Sequence, residues 1–334
     1  MLAVSSAIAD QAGAAILRGW RDRLRAPVIG APLFLASSVD LVVAQCTSGI
    51  IGTIPALNAR SSAQLADRLR QISDALAAWD IAHPEQPAAP FGVNLVVHRS
   101  NPRLEEDLAL CAEYHVPLVI SSMGAREEVN GAVQAYGGVT LHDVTNQEHA
   151  HKAIAKGATG LIAVAAGAGG HAGSQSPFAL VAELREWFDG PLVLAGAIGS
   201  GRAVAAARTL GADFAYIGSA FLASDEASCA QGHKEAVVAA AAADIVNTAA
   251  FSGTPANYLR CSIERAGLDP DALPQDRRAI NVAAQDSAAR TWTDIWGCGQ
   301  GIGSVQAIEP AAAVIDRIVQ EYRAAMAGRG DHEF

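Results

Sequence analysis

The chain has 334 residues, of which 51% are hydrophobic and 17% charged, and its formal net charge is −10 at pH 7. That length holds one large core or two ordinary ones, and the acidic balance, with no block of Lys or Arg, argues against a nucleic-acid surface. Lysine occurs only at Lys152, Lys156 and Lys234, which makes a Schiff-base lysine a poor choice of catalyst.

The first stretch, MLAVSSAIADQAGAAILRGW, has charge and small residues where a secretory signal peptide would have its apolar core. No uninterrupted apolar run reaches the ~18 residues of a membrane span. A cytoplasmic protein acting without a membrane is expected. Cys46, Cys111, Cys229, Cys261 and Cys298 stand far apart with no CxxC pair, so they read as free thiols in a reducing compartment, not as a zinc knuckle or a disulfide framework.

From residue 26 onward the chain alternates. Short apolar runs with β character are APVIGAPL (26–33), GIIGTI (49–54), FGVNLVV (91–97), PLVISS (117–122), GVTLHDV (138–144), GLIAVAA (160–166), PLVLAGA (191–197) and FAYIGSA (214–220). Helix-like stretches rich in Ala, Leu, Arg and Glu lie between them, with Gly157 and Gly211 as stop signals. Eight such units predict a parallel α/β protein, and eight is the number that closes a (β/α)8 barrel; a doubly wound open sheet is the structural alternative. Past about residue 225 the pattern changes. The barrel, residues 1–225, is expected to be completed by an Ala-rich helix at about 232–250 and a closing helix at 305–328, with 251–304 as a small cap or lid and GRGDHEF as a frayed tail.

Barrel active sites gather at the carboxyl ends of the strands. Asn94 is a polar amide in an apolar strand and needs a partner. The fourth strand ends in Ser121-Ser122-Met123-Gly124, an ordinary turn or a short wall close to a flat ligand. The seventh and eighth end in Gly196-Ala197-Ile198-Gly199 and Gly218-Ser219, where glycine lets the backbone approach a phosphate and a following helix N-terminus adds a positive dipole end. After the sixth strand comes Gly167-Ala168-Gly169-Gly170-His171-Ala172-Gly173. Its loose match to a dinucleotide fingerprint is weak. The glycines fit better as a loop passing close to a planar ligand, with His171 as the one reactive side chain, able to act as base or acid near neutral pH. His142 beside Asp143 is a secondary candidate, and no spacing argues for a metal. The remaining histidines, His83, His98, His115, His149, His151, His233 and His332, are expected to be solvated. The stretch Trp296-Gly-Cys-Gly-Gln300-Gly301-Ile-Gly303 is a flexible loop or a flap over a cofactor.

These residues together resemble the nitronate monooxygenase family, formerly 2-nitropropane dioxygenases. The signature GxGGHxG stands at 167–173, supported by FGVNL, AGAIGSG, GADFAYIGSAFLAS, DIVNTAAFSGTPAN and the Gly-Gln-Gly loop, over roughly residues 28–305. The resemblance implies an FMN-binding TIM barrel that oxidises alkyl nitronates or nitroalkanes with O2, leaving a carbonyl compound and nitrite. It implies His171 as catalytic base and cofactor contacts at Ala31, Pro32, Leu33, Asn94, Ser121, Gly169, Gly170, Gly196, Ala197, Gly199, Gly218, Ser219, Gln300 and Gly301. Three positions depart from the family pattern: APLFLASS where many members have APMxG, Asp143 where some carry lysine, and Asn257 where arginine is common. An NAD(P)H-dependent flavin reductase of quinones or enoyl thioesters is the alternative, and a non-redox barrel binding a phosphorylated metabolite is a third reading. A homodimer is compatible with the sequence.

Overall fold

In the computed structural model, residues 2–273 and 292–327 are described, with backbone alone for 2–11. All eight apolar runs form strands: β1 (Val28–Gly30), β2 (Gly52–Pro55), β3 (Phe91–Val96), β4 (Leu118–Ser122), β5 (Val139–Val144), β6 (Gly160–Val164), β8 (Leu192–Ala195) and β9 (Phe214–Ile217). A two-residue strand, β7 (Gly170–His171), lies between β6 and β8 in the chain. The eight long strands pair in parallel in the order β1-β9-β8-β6-β5-β4-β3-β2. A parallel bridge between Ile29 and Ile51 closes the ring, with Gly30 N donating to the Ile51 carbonyl at 2.7 Å. The result is a (β/α)8 barrel, the arrangement the alternation predicts.

Strands buried on both faces explain why the runs are apolar almost without interruption. One face fills the barrel: Ile29, Ile51, Leu118, Ile120, Val139, Leu141, Ile162, Val193 and Phe214 form its interior cluster. The other face meets the helices in two outer clusters. Those helices are α2 (Val39–Thr47), α3 (Ser62–Ala82), α4 (Leu104–Glu113), α5 (Glu127–Ala135), α6 (Gln147–Ala155), α7 (Pro177–Arg185) and α8 (Gly201–Leu210). Several begin on side-chain caps: Ser38, Ser61, Asn146 and Ser200 each accept from the backbone N–H three residues on. Gly211 ends α8 at φ 109°, and Gly157 follows α6 at φ 83°, conformations that favour glycine.

An N-terminal helix, α1 (Leu2–Arg23), plugs the amino end of the barrel. Leu17 joins the interior cluster, and Arg21 pairs with Asp213, just before β9, at 2.9 Å. The bottom is thereby sealed, and an open cavity is left to the carboxyl ends.

The helix expected at about 232–250 is shorter: α9 covers Gln231–Ala239. The same apolar tract then becomes β10 (Ile245–Thr248), antiparallel to β11 (Ala256–Leu259), which pairs in turn with β7. Alanine's helix preference is worth only tenths of a kcal/mol per residue. The ladder with β11 and the small core of Ala256, Tyr258, Ile263 and Ile295, on which Val246 packs, outweigh it. A short helix, α10 (Arg260–Arg265), follows β11, and the closing helix α11 occupies Ala311–Ala327, inside the expected 305–328. Part of the expected cap, 274–291, and the tail 328–334 with His332 lie outside the described residues. No described helix is long and apolar enough to cross a membrane.

Candidate active site

The carboxyl ends of the strands surround a cavity of about 960 Å³. That is at the upper end of the range for small-molecule sites. Of the residues singled out in the sequence, Ala31, Pro32, Leu33, Asn94, Gly169, Gly170, His171, Gly196, Ala197, Gly218, Ser219 and Gly301 line it.

Three expected residues do not line it. Ser121 is 1% exposed and lies on the face of β4 that carries Val119 toward the helices, so strand alternation turns Ser122 to the cavity instead. Gly199 is consumed by a backbone crossing: a methyl group there would collide with the Gly301 carbonyl oxygen and lie 2.5 Å from Ser304 Oγ. Gln300 sits behind the glycine loop, its N–H donating to the Gly167 carbonyl at 2.9 Å. At the N-terminus of α8 two backbone donors are already taken. Its Gly201 N–H donates to Glu321 Oε2 of α11 at 2.7 Å, and Ser200 takes the Ala203 N–H.

His171 is positioned from the small sheet. In β7 it pairs with Ala256, and Gly170 pairs with Asn257. The buried Asn257 reaches through to the loop, its Nδ2 donating to the Ala168 carbonyl at 2.6 Å. The imidazole lies edge-on to Trp292, ring centroids 5.5 Å apart, and Trp292 in turn packs on Tyr258. By area the ring is open to the cavity, yet protein surrounds it on its other sides, and that desolvation lowers its pKa below the ordinary histidine value. Near neutral pH His171 is therefore uncharged, with one ring nitrogen free to take a proton.

The other polar feature is the top layer of the barrel interior. Asn94 Nδ2 donates to the Ile120 carbonyl at 3.2 Å and to Ser122 Oγ at 2.6 Å. The Ser122 hydroxyl donates in turn to Asp143 Oδ2. Asp143 Oδ1 and the Tyr216 hydroxyl are buried and have no hydrogen-bond partner. Burial raises the Asp143 pKa to about 6, against the opposing pull of Ser122. Burial and the nearby Asp143 charge push the Tyr216 phenol well up. His142, the secondary candidate, also lines the cavity; its Nδ1 lies 2.9 Å from the Asp143 carbonyl, and burial lowers its pKa.

His233, expected to be solvated, is 7% exposed. It stacks on Trp296 at 4.9 Å, and burial with the nearby Arg265 lowers its pKa to about 4. His98 and His149 border the cavity as well. Cys298 lines it, but burial pushes its thiol to about 12, which removes thiolate chemistry. No cluster of three metal-ligating side chains occurs among the described residues.

Residues 25–321 match the model of the nitronate monooxygenase family. A nitronate monooxygenase of Paraburkholderia phytofirmans is 26% identical, the match covering 89% of this chain and 92% of that protein. The structure of nitroalkane oxidase from Streptomyces ansochromogenes superposes with a TM-score of 0.75 at 25% identity, covering 92% of this chain and 99% of the other. FabK from Thermotoga maritima shares the fold, with a TM-score of 0.72 at 24% identity over 92% of this chain and 96% of its own. A family match across nearly the whole barrel, on a chain that brings the GxGGHxG histidine to the mouth of its cavity, leads to one assignment: the chain belongs to the nitronate monooxygenase family and is a flavin-dependent oxidoreductase.

Proposed function

We propose that this chain uses bound FMN and O2 to oxidise alkyl nitronates or nitroalkanes to a carbonyl compound and nitrite, with His171 as the base that removes the proton α to the nitro group. The observation that carries the reading is the placement of His171: open to the cavity, held by the pairing of β7 with β11, and edge-on to Trp292.

The residues present fit a flat, phosphate-bearing cofactor. Gly196 has φ 134°, and a methyl there would stand 2.8 Å from the Ala166 carbonyl oxygen, so the backbone itself forms that wall. Gly218 leaves similarly little room, with Leu33 Cδ2 3.1 Å from where its methyl would be. Gly196, Ala197, Gly218 and Ser219, from the adjacent strands β8 and β9, would hold the phosphate; Ala31, Pro32, Leu33 and Asn94 would border the ring. When bound, FMN supplies electron acceptance and reaction with O2. The chain's part is to bind, to orient and to move the proton. With a neutral nitroalkane His171 takes the α proton; with a nitronate it orients the nitro oxygens. The small sheet and residues 292–304 would serve as the cap that keeps water from the reacting carbon.

An anaerobic absorbance titration tests the reading. Loss of the oxidised flavin band on adding nitronate or nitroalkane, but not NADH or NADPH, supports it. Rapid reduction by a nicotinamide replaces it with the reductase, and a colourless protein that FMN does not reconstitute removes the cofactor. His171→Ala should keep its FMN and lose about 100-fold or more in rate on neutral nitroalkanes. An undiminished rate would overturn the base assignment.

A further inference from the structure

We propose that Phe34, Leu35, Leu57 and Val96 form a hydrocarbon-binding wall in this cavity, and that the substrate carries an unbranched apolar chain of several carbons on its nitro-bearing end. The inference rests on the proposed nitro-compound oxidation and deepens it, because that reading leaves the rest of the substrate open.

The four side chains are large, apolar and unused by the fold. All of them line the cavity, and none joins the hydrophobic clusters of the barrel interior, the outer helices or the small sheet. Leu35 is 40% exposed, and of the exposed large apolar side chains among the described residues it alone lines the cavity. A single exposed leucine needs no explanation, but this one is held at φ 63°, a left-handed conformation that a side chain disfavours. Asn58 holds it there. The Leu35 N–H donates to Asn58 Oδ1 at 2.8 Å, while Asn58 Nδ2 donates to the Leu33 and Ser37 carbonyls at 3.0 and 2.9 Å. Strain fixed in this way clusters at ligand sites. Of the five described non-glycine residues at positive φ, Leu35, Met123, Ala197 and Trp292 line this cavity.

The strand order sets the wall opposite the base. Leu57 stands on the 3-10 turn Ala56–Asn58 that follows β2, and β2 is four strands from β6 in either direction round the ring. His171 stands on the loop after β6. The two sides also differ in chemistry. Asn94 and His98 are the only polar side chains that the ends of β1, β2 and β3 bring to the cavity, whereas Ser122, His142, Asp143, Thr145, His149 and Lys152 come from the β4 and β5 side. A substrate with its reacting carbon at His171 and its chain across the mouth lays that chain on the apolar side. Nitroethane is too short to reach it. Each methylene that covers the wall removes apolar surface from water and is worth about 4-fold in affinity.

Unreactive straight-chain amides read the wall without turnover. Calorimetry on the FMN-loaded protein should show hexanamide binding at least ~30-fold more tightly than propionamide. The kcat/KM for 1-nitrohexane should exceed that for nitroethane by a similar factor. Glycine suits φ 63°, so Leu35→Gly removes the side chain without a backbone penalty, and its urea midpoint should be no lower than that of wild type. Combined with Phe34→Ala, it should cut the hexanamide-to-propionamide ratio ~10-fold. Equal affinity for the two amides overturns the proposal without any variant. So does a ratio that the double variant leaves unchanged, and a loss of FMN affinity alongside that unchanged ratio would assign the wall to the cofactor. If no nitro compound is oxidised, the proposed function falls, and the amide pair still decides whether the wall binds a hydrocarbon chain.

Discussion

A methyl group has no place at Gly199, where the backbone of 299–304 crosses the turn after β8. Its carbonyl accepts from Ser304 Oγ at 2.7 Å, and Gly301 presses on it from the same side. Overpacking against backbone relaxes poorly. Gly199→Ala should cost about 2–3 kcal/mol, read as a lower urea midpoint with an unchanged slope. A midpoint within error of wild type would mean that the 299–304 segment yields freely. The sequence marks this glycine but not its reason, since a turn glycine near a ligand and one under a crossing chain look the same. Ser121 and Ser122 pose the same difficulty. Identical neighbours carry no parity signal, and only the register with β3 and β5 settles that Ser122 reaches Asn94 and Asp143.

At the scale of elements, the barrel strands were legible because burial on both faces writes them as apolar runs. The small sheet was not. β7 is two residues long, and β10 shares an apolar tract with α9, so neither shows a period of its own. Yet this sheet aims His171, and Asn257 is its clamp. That side chain donates to the Ala168 carbonyl and accepts from Asn247 Nδ2 at 2.9 Å. Truncation leaves the buried carbonyl unpaired, at a cost of about 1–3 kcal/mol. Asn257→Ala should thus loosen residues 168–172 first. Hydrogen exchange should quicken at Ala172, whose N–H donates to the Pro255 carbonyl at 3.2 Å, while the β3–β5 amides keep their protection. Uniform loss of protection across the barrel would assign Asn257 to the global core instead.

The whole molecule carries the Asp143 charge as a cost in stability, and the sign follows from linkage. Its folded pKa of about 6 lies above the ordinary 3.8, so the folded state binds the proton more tightly than the unfolded one. The stability this confers is full below pH 3.8 and is lost as pH rises through 6, a penalty on the order of 3 kcal/mol at neutral pH. His233 acts in the opposite direction. Its folded pKa of about 4 lies below the ordinary 6.5, so stability is lost as pH falls through that window. The two windows overlap, and in the wild type they largely offset each other between pH ~4 and ~6. Asp143→Asn removes one of them. Urea unfolding should find the variant more stable than wild type by about 2–3 kcal/mol at pH 7.5, with the advantage vanishing by pH ~4 and a steeper acid decline between. A variant no more stable than wild type at neutral pH would mean that the buried carboxyl is compensated after all.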